Sequence, residues 1–181
     1  LIAQNGDSRK IPIAMAQTYF AVQTRRQEIS NLSEDRKRLY IRQEVKQHNI
    51  KLFETAQKAG VNNFGKFNNY GYLGLYGLVV SDIQKKKEIG DDKILDRAGS
   101  TELAANLFRI TQTDEQIKNK NIKGEEQANT THYAVGKEVR NTIEKIGGTM
   151  PEELPTEQHI KEIEQNEKRM IQGNIKKLKD S

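Results

Sequence analysis

The 181-residue sequence contains no cysteine and no tryptophan, and it has only three prolines. Without cysteine, the chain can form neither a disulfide framework nor a cysteine-ligated metal site. Its apolar runs all fall well short of the roughly 20 residues that a membrane-spanning helix needs. Its first residues also lack the pattern of a secretory signal. We therefore expect a cytoplasmic protein that does not enter a membrane.

Apolar residues are scarce as well. Only 34% of the chain is hydrophobic and 30% is charged, and the mean hydropathy is −0.84, whereas globular domains have an apolar content of roughly 45–50%. Few prolines combined with many Lys, Glu and Gln residues favour helices whose polar faces remain in water. The composition therefore predicts a mainly α protein with long, exposed helix faces.

Two long helices are predicted in the first third of the chain. Pro12 is followed by apolar positions that recur at helical spacing over residues 13–29, which indicates a first helix. Ser33 is a suitable N-cap for a second helix over Glu34–Ala59, which we expect to stop at Gly60. Together the two helices form a long helical hairpin.

The middle of the chain is predicted to be a compact helical module. Over residues 60–78 five glycines alternate with Phe and Tyr, which predicts an irregular loop pinned by aromatic side chains. We favour this packing interpretation over a base-stacking platform. Short helices are expected over residues 79–113, and a longer one over residues 125–146, which contains Gly136.

The end of the chain is predicted to be a linker followed by an amphipathic helix. Residues 149–155 include two prolines and read as the linker, and Thr156 is expected to cap the helix. The predicted organisation is therefore a short N-terminal part over residues 1–29, a helical region over residues 30–148, and the linker and C-terminal helix over residues 149–181.

The basic excess is concentrated near the start, since residues 1–60 carry 11 basic and 6 acidic residues. Arg38, Arg42 and Lys46 are spaced by four and share one helix face. This arrangement indicates either a solvated face or a ridge that contacts phosphates. The candidate nucleic-acid-binding residues are Arg25, Arg26, Arg36, Lys37, Arg38, Arg42 and Lys46, together with the cluster Lys85, Lys86 and Lys87.

No catalytic constellation is visible, because His48, His132 and His159 are far apart and no phosphate-binding loop is present. We therefore predict no catalytic residue, no cofactor and no metal, and we expect a non-enzymatic protein. An unusual polar run lies within the predicted helix over residues 125–146. Its side chains either serve helix packing, with His132 bonded to a neighbouring carbonyl, or form a partner-binding face. The run consists of Asn129, Thr130, Thr131 and His132.

Four long strings carry a family resemblance. Residues 17–28 read QTYFAVQTRRQE, residues 99–113 read GSTELAANLFRITQT, residues 127–132 read QANTTH, and residues 147–155 read GGTMPEELP. In this order, and over nearly the whole chain, they resemble the DNA-damage-inducible protein D family.

The resemblance implies a cytoplasmic bacterial protein of the SOS response to DNA damage. It also implies a Bro-type N-terminal domain, related to those of phage antirepressors, of which residues 1–29 would be the last part. The chain opens on Leu1 where a start Met is expected, and this fits a truncated domain. Through the resemblance we further expect an influence on recombination through a RecA-type recombinase and single-stranded DNA.

The sequence thus predicts a mainly α fold, in which a long helical hairpin precedes a compact helical module and a C-terminal amphipathic helix. The predicted function is that of a non-enzymatic regulator in the DNA-damage response that acts on DNA or on a recombination protein. The alternative is an antirepressor-like module that binds a protein without touching DNA. Self-association through the long helices is a further expectation.

Overall fold

The computed structural model describes residues 33–179, with the side chains at positions 174 and 176–179 excepted. Within this range the chain forms six α-helices and two short 3₁₀ turns, and it forms no strand, which confirms the mainly α prediction. The predicted helix over residues 13–29, and with it the first arm of the hairpin, lies outside the described residues. The helices are α1 (Glu34–Ala59), α2 (Phe64–Tyr76), α3 (Val80–Lys86), α4 (Ser100–Asn119), α5 (Glu125–Lys145) and α6 (Ile160–Lys179), and the turns are Ile94–Asp96 and Pro151–Glu153.

Contacts divide the chain into two units, Leu1–Lys37 and Arg38–Ser181. The described part of the first unit is the start of α1, where the Ser33 Oγ accepts a hydrogen bond from the Arg36 N at 3.4 Å. Two acidic residues lie in the first turn, where their negative charges interact favourably with the positive end of the helix dipole. Ser33 is therefore the N-cap that the sequence predicts, and all further contacts described below belong to the second unit.

The end of α1 also lies where the sequence predicts it. The helix stops at Ala59, and Gly60 takes a φ of +100°, which a glycine adopts without steric cost. Its 26 residues span about 39 Å. The predicted apolar stripe is buried at Val45, Leu52, Ala56 and Ala59 and half-buried at Ile41 and Phe53.

The prediction of an irregular loop over residues 60–78 is wrong, because most of this stretch forms α2. The Asn63 Oδ1 caps the helix by accepting a hydrogen bond from the Lys66 N at 2.9 Å. The aromatic side chains nevertheless pack inward, as the packing interpretation predicts. Phe67 and Tyr76 are at most 1% exposed, so they are not available for base stacking.

Glycine is required in α2 because the helix crosses α5 at very close range. A Cβ on Gly74 would collide with the Tyr133 O, and one on Gly136 would lie 2.8 Å from both the Gly71 O and the Leu75 N. Since these neighbours are backbone atoms, they cannot move aside as a flexible side chain would. The sequence displays the glycines but not the helix that they approach, and it therefore predicts a loop.

The region between α2 and α4 differs in detail from the short helices that the sequence predicts. α3 begins at Val80, with Val79 at its N-cap position. The 3₁₀ turn Ile94–Asp96 replaces a predicted short helix. Ser100 is the first residue of α4 while Gly99 occupies the N-cap, and the helix extends beyond its predicted end. α5 follows nearly as predicted.

The segment of residues 150–159, predicted as a linker and a Thr156-capped helix, is fastened to the helices of its unit. The Thr156 Oγ1 donates a hydrogen bond to the Lys87 O at 2.9 Å instead of capping a helix. The Glu157 N donates to the Arg97 O at 2.8 Å. α6 therefore begins only after this attached segment, at Ile160.

Ion pairs strengthen the attachment of the 150–159 segment. Glu152 forms a bidentate pair with Arg140, with N–O distances of 2.8 and 2.6 Å. The hydrogen bonds that Arg140 donates to Glu152 raise the pKa of Arg140 above its ordinary value. Glu153 lies 2.8 Å from the Lys86 Nζ. The boundary at residue 149 stays a prediction, since these contacts do not test a domain division.

The close crossing predicts the effect of a single methyl group. Because the added Cβ would press on the backbone of α2, we expect Gly136→Ala to lower the free energy of unfolding by about 1–3 kcal/mol or more. The matched control is Gly65→Ala, also in this helix pair, where the nearest atom to a Cβ is the Asn63 Oδ1 at 3.5 Å. Urea unfolding followed by circular dichroism measures both, and equal stability of the two variants would contradict the crossing.

Candidate functional site

Two of the three residues of the predicted phosphate-contacting ridge on α1 make contacts within the fold. Arg38 is only 1% exposed, and its guanidinium donates from Nε to the Ala98 O at 3.0 Å and from Nη2 to the Gln158 O at 2.7 Å. Arg42 pairs with the largely buried Asp96 at 2.8 Å. Both side chains therefore hold the module together, and Lys46 alone of the three is exposed.

The second basic cluster divides in the same way. Lys87 is buried, and its Nζ donates to the Glu102 Oε2 at 3.1 Å and to the Leu154 O at 2.9 Å. Lys87 therefore does not present its charge at the surface. Lys86 is paired with Glu153, and Lys85 is 81% exposed. Arg36 is exposed and Lys37 is half-buried, while Arg25 and Arg26 lie outside the described residues.

The polar run on α5 is buried at two of its four positions. Asn129 is 2% exposed and His132 is fully buried, so neither residue presents its side chain at the surface. The His132 Nδ1 lies 3.0 Å from the Phe67 O, which is the carbonyl contact of the packing interpretation. Thr130 is exposed and Thr131 is half-buried, and partner binding by these two stays a prediction.

A buried polar network lies between α2, α4 and α5. Glu102 accepts a hydrogen bond from the Tyr76 Oη at 2.7 Å as well as the Lys87 ion pair. The Asn106 Nδ2 donates to the Tyr76 Oη at 2.8 Å, and the Asn106 Oδ1 accepts from the Arg109 Nη2 at 3.0 Å. These five side chains form a continuous chain of hydrogen bonds through the interior.

The network ends at a contact between Arg109 and His132. The Arg109 Nη1 donates to the His132 Nε2, because a guanidinium can only donate; the Nδ1–H correspondingly donates to the Phe67 carbonyl. His132 is therefore neutral, with its proton on Nδ1. The Arg109 guanidinium also lies 5.0 Å from the centre of the Tyr72 ring, in the range of a cation–π contact.

Burial dominates the electrostatics of this network. It lowers the pKa of His132 well below its usual 6.5, and the charge of Arg109 acts in the same direction. Burial also lowers the pKa of Arg109, and it raises the pKa of Glu102, against which the nearby Lys87 acts. Among residues 33–179 no carboxylate forms an ion pair with Arg109, and its Nε has no hydrogen-bond partner there.

Most of this network was missed by the sequence analysis, although a signal for it exists. Glu102, Asn106, Arg109 and Thr113 follow one another at spacings of four, three and four on α4, and all four are buried. A polar row at helical spacing reads as a solvated face in a sequence. Here the row faces inward, because Tyr76 on α2 and His132 on α5 form hydrogen bonds with it.

The three histidines do not converge, since His48 lies 3.9 Å from Glu44 and His159 lies 3.9 Å from Asp96. In the described part of the chain, no three His, Asp or Glu side chains are placed to hold a metal ion. No helix within residues 33–179 is long and apolar enough to cross a membrane.

A known protein family matches the part of the chain that contains these helices. The model of the DinD C-terminal domain matches residues 32–163, the range that contains α1 to α5 and the start of α6. The chain belongs to the DinD family. DNA damage-inducible protein D of Escherichia coli (strain K12) is 53% identical over 180 residues, which cover 93% of this chain and 66% of that protein. The chain thus spans just under two thirds of the length of this DinD relative.

Three of the four strings that carry the DinD resemblance meet in the fold, and the string over residues 17–28 lies outside the described residues. The string over residues 99–113 supplies Glu102, Asn106 and Arg109, and the string over residues 127–132 supplies His132. The string over residues 147–155 supplies the carbonyl that Lys87 contacts. Sequence features that are far apart in the chain therefore belong to one interior network.

The neutral state of His132 predicts a pH dependence of stability. In the unfolded chain a histidine binds protons near its usual pKa of 6.5, whereas the folded pKa lies well below it. The stabilisation is therefore complete above about pH 6.5 and is lost as the pH falls towards the folded pKa. We expect a component of up to about 1.4 kcal/mol per pH unit between about pH 6.5 and 5.5.

Urea unfolding at a series of pH values measures this component. His132→Gln keeps an acceptor for Arg109 but has no titrating ring, so the component is expected to disappear in this variant. His48→Gln is the control, and it is expected to keep the component because His132 is intact. An identical pH dependence in the wild type and in His132→Gln would refute the assignment.

The placement of Arg38 predicts that its loss acts on stability. Because the buried Ala98 carbonyl and the partly buried contact with the Gln158 carbonyl lose their donor, we expect Arg38→Gln to lower the free energy of unfolding by about 1–3 kcal/mol. The exposed Lys46, on the same helix, is the matched control, and Lys46→Gln is expected to stay within about 0.5 kcal/mol of the wild type. Denaturant titration compares them, and a fully stable Arg38→Gln variant would contradict the buried position.

Proposed function

We propose that this chain is a non-enzymatic regulator in the bacterial DNA-damage (SOS) response, and that it acts by contacting a recombination protein. Membership of the DinD family supports the first part, since the Escherichia coli relative is named for its induction by DNA damage. The matched region covers 66% of the length of this relative.

A regulatory rather than a catalytic role is supported by where the polar side chains lie. Tyr76, Glu102, Asn106, Arg109 and His132 are all at most 1% exposed. They form hydrogen bonds with one another inside the module, as buried polar groups generally do. A catalytic acid or base has to reach a substrate atom within hydrogen-bond distance, and these enclosed groups are not positioned to do so. The family's activity then resides on the surface of the module.

A protein partner is favoured by the single observation that Arg38 is buried. The continuous row of cations that the sequence predicts on α1 is interrupted, because Arg38 and Arg42 are engaged inside the module. A phosphate-binding surface depends on several exposed cations acting together, since each neutralised phosphate adds to the affinity. The described part of α1 does not present such a row.

Direct DNA binding is the second candidate. It would rest on the exposed Lys46 and Lys85, together with Arg25 and Arg26 outside the described residues. An antirepressor-like contact with a transcription regulator is the third candidate. It shares the protein-binding surface and differs only in the partner.

Binding measurements with the full chain distinguish these functions. We expect the chain to bind a RecA-type recombinase in the absence of DNA and to change the rate at which the recombinase hydrolyses ATP on single-stranded DNA. We expect this binding to survive the double variant Lys46→Gln/Lys85→Gln. Lys137→Gln/Lys145→Gln, two exposed positions on α5, is the control for charge removal.

The contrary outcomes are equally specific. Fluorescence anisotropy with single- and double-stranded DNA detects direct binding, which should fall steeply between about 50 and 200 mM salt. Tight, salt-sensitive DNA binding that is lost in Lys46→Gln/Lys85→Gln alone would replace the proposal by the second candidate. No effect on the recombinase and no DNA binding would favour the third.

A further inference from the structure

Helix α6 leaves the module after its first turn. Ile160 and Ile163 are buried, at 4% and 2% exposure, and the Arg38 guanidinium holds the Gln158 carbonyl directly before them. Beyond Ile163 none of the described side chains of α6 is buried. The remaining residues, 164–179, extend for about 24 Å at the helical rise per residue.

The projecting part of α6 carries a large apolar surface. Met170, Ile171 and Ile175 are 63%, 53% and 49% exposed. A single helix of this length is marginally stable in water, and Gly173 lowers its helix propensity further. Ile171 and Ile175 are separated by four positions and lie on one face of the helix, and Met170 lies at the flank of that face. An exposed apolar face of this kind is typical of a surface that a partner covers.

Charge along α6 indicates what that partner is. Residues 160–167 contain three acidic residues and one basic residue, whereas residues 168–179 contain five basic residues and none that is acidic. Two such helices placed in parallel would set like charges side by side. Placed antiparallel, the acidic half of each lies against the basic half of the other. The sequence of α6 is therefore complementary to itself in the antiparallel direction only.

We propose that the projecting part of α6 pairs with α6 of a second copy of the chain, antiparallel and about a twofold axis near residues 171–172. Such a pair is isologous, so each copy contributes the same surface. The axis brings the exposed apolar side chains of both copies together. It also sets positions 164 and 167 of one helix level with positions 179 and 176 of the other. This interface is independent of the proposed partner in the DNA-damage response.

Disulfide trapping tests the direction of pairing, and the absence of native cysteine makes it specific. Near the axis, Ile171→Cys is expected to cross-link to itself under mild oxidation. Glu164→Cys lies on the same face two turns earlier, and its two copies would be about 22 Å apart. A disulfide needs Cα atoms within about 7 Å, so this variant is expected to stay uncross-linked. Cross-linking of both variants would indicate parallel helices and overturn the proposal, as would cross-linking of neither.

Light scattering coupled to size exclusion tests the apolar contact. We expect the wild type to be dimeric at about 100 μM and Ile171→Glu/Ile175→Glu to weaken the dimer by more than about 100-fold. Asn166→Glu is the control, because position 166 lies on the side of α6 opposite Ile171 and Ile175, and this variant is expected to remain dimeric. Both substitutions lie beyond the module, so its cooperative unfolding should persist in each. A monomeric wild type, or a dimer that is indifferent to Ile171→Glu/Ile175→Glu, would overturn the proposal.

Discussion

The close approach of α2 and α5 sets the position of everything else in the module. A Cβ on Gly71 would overlap the side chains of Arg109 and His132, and one on Gly136 would press on the backbone of α2. The space that the polar network occupies therefore exists because these positions have no side chain. The helix crossing and the network are one arrangement, and a change at either is transmitted to the other through atoms already in contact.

The network places a cation where desolvation is expensive. A buried guanidinium needs hydrogen-bond acceptors or other favourable contacts to offset the loss of water. Arg109 has the Asn106 Oδ1, the Tyr72 ring and the neutral His132. His132 must stay neutral in this arrangement, since protonation would remove its acceptor and add a second positive charge. The tautomer is fixed by the Phe67 carbonyl, which belongs to α2. The helix that supplies the glycines of the crossing thus also decides which ring nitrogen faces Arg109.

The accuracy of the sequence predictions depends on whether the controlling interaction is local. The ends of α1 follow from Ser33 and Gly60, which act on the backbone within a turn, and both were predicted correctly. The glycines of α2 act across the crossing, and the sequence does not show which helix they meet. Arg38 and Arg42 share a face with Lys46, but spacing alone cannot distinguish a face in water from one that reaches carbonyls and a carboxylate on distant segments. The burial of Lys87 is not visible in the sequence for the same reason, since its partner Glu102 lies in another helix.

The inward-facing cations explain why α6 projects from a defined place. Lys87 binds the Leu154 carbonyl, Arg140 binds Glu152, and Arg38 binds the Gln158 carbonyl. Three basic side chains of the module thus fasten the 150–159 segment at three points along its length, and α6 starts directly after the last of them. A tail attached by a mobile linker would present its apolar face in all directions, and ordering it would cost conformational entropy on binding. A tail fastened at its base loses less freedom when it meets a partner. Arg38 and Lys87, whose charges are used inside the fold, therefore fix the start of the helix that we propose as the site of self-association.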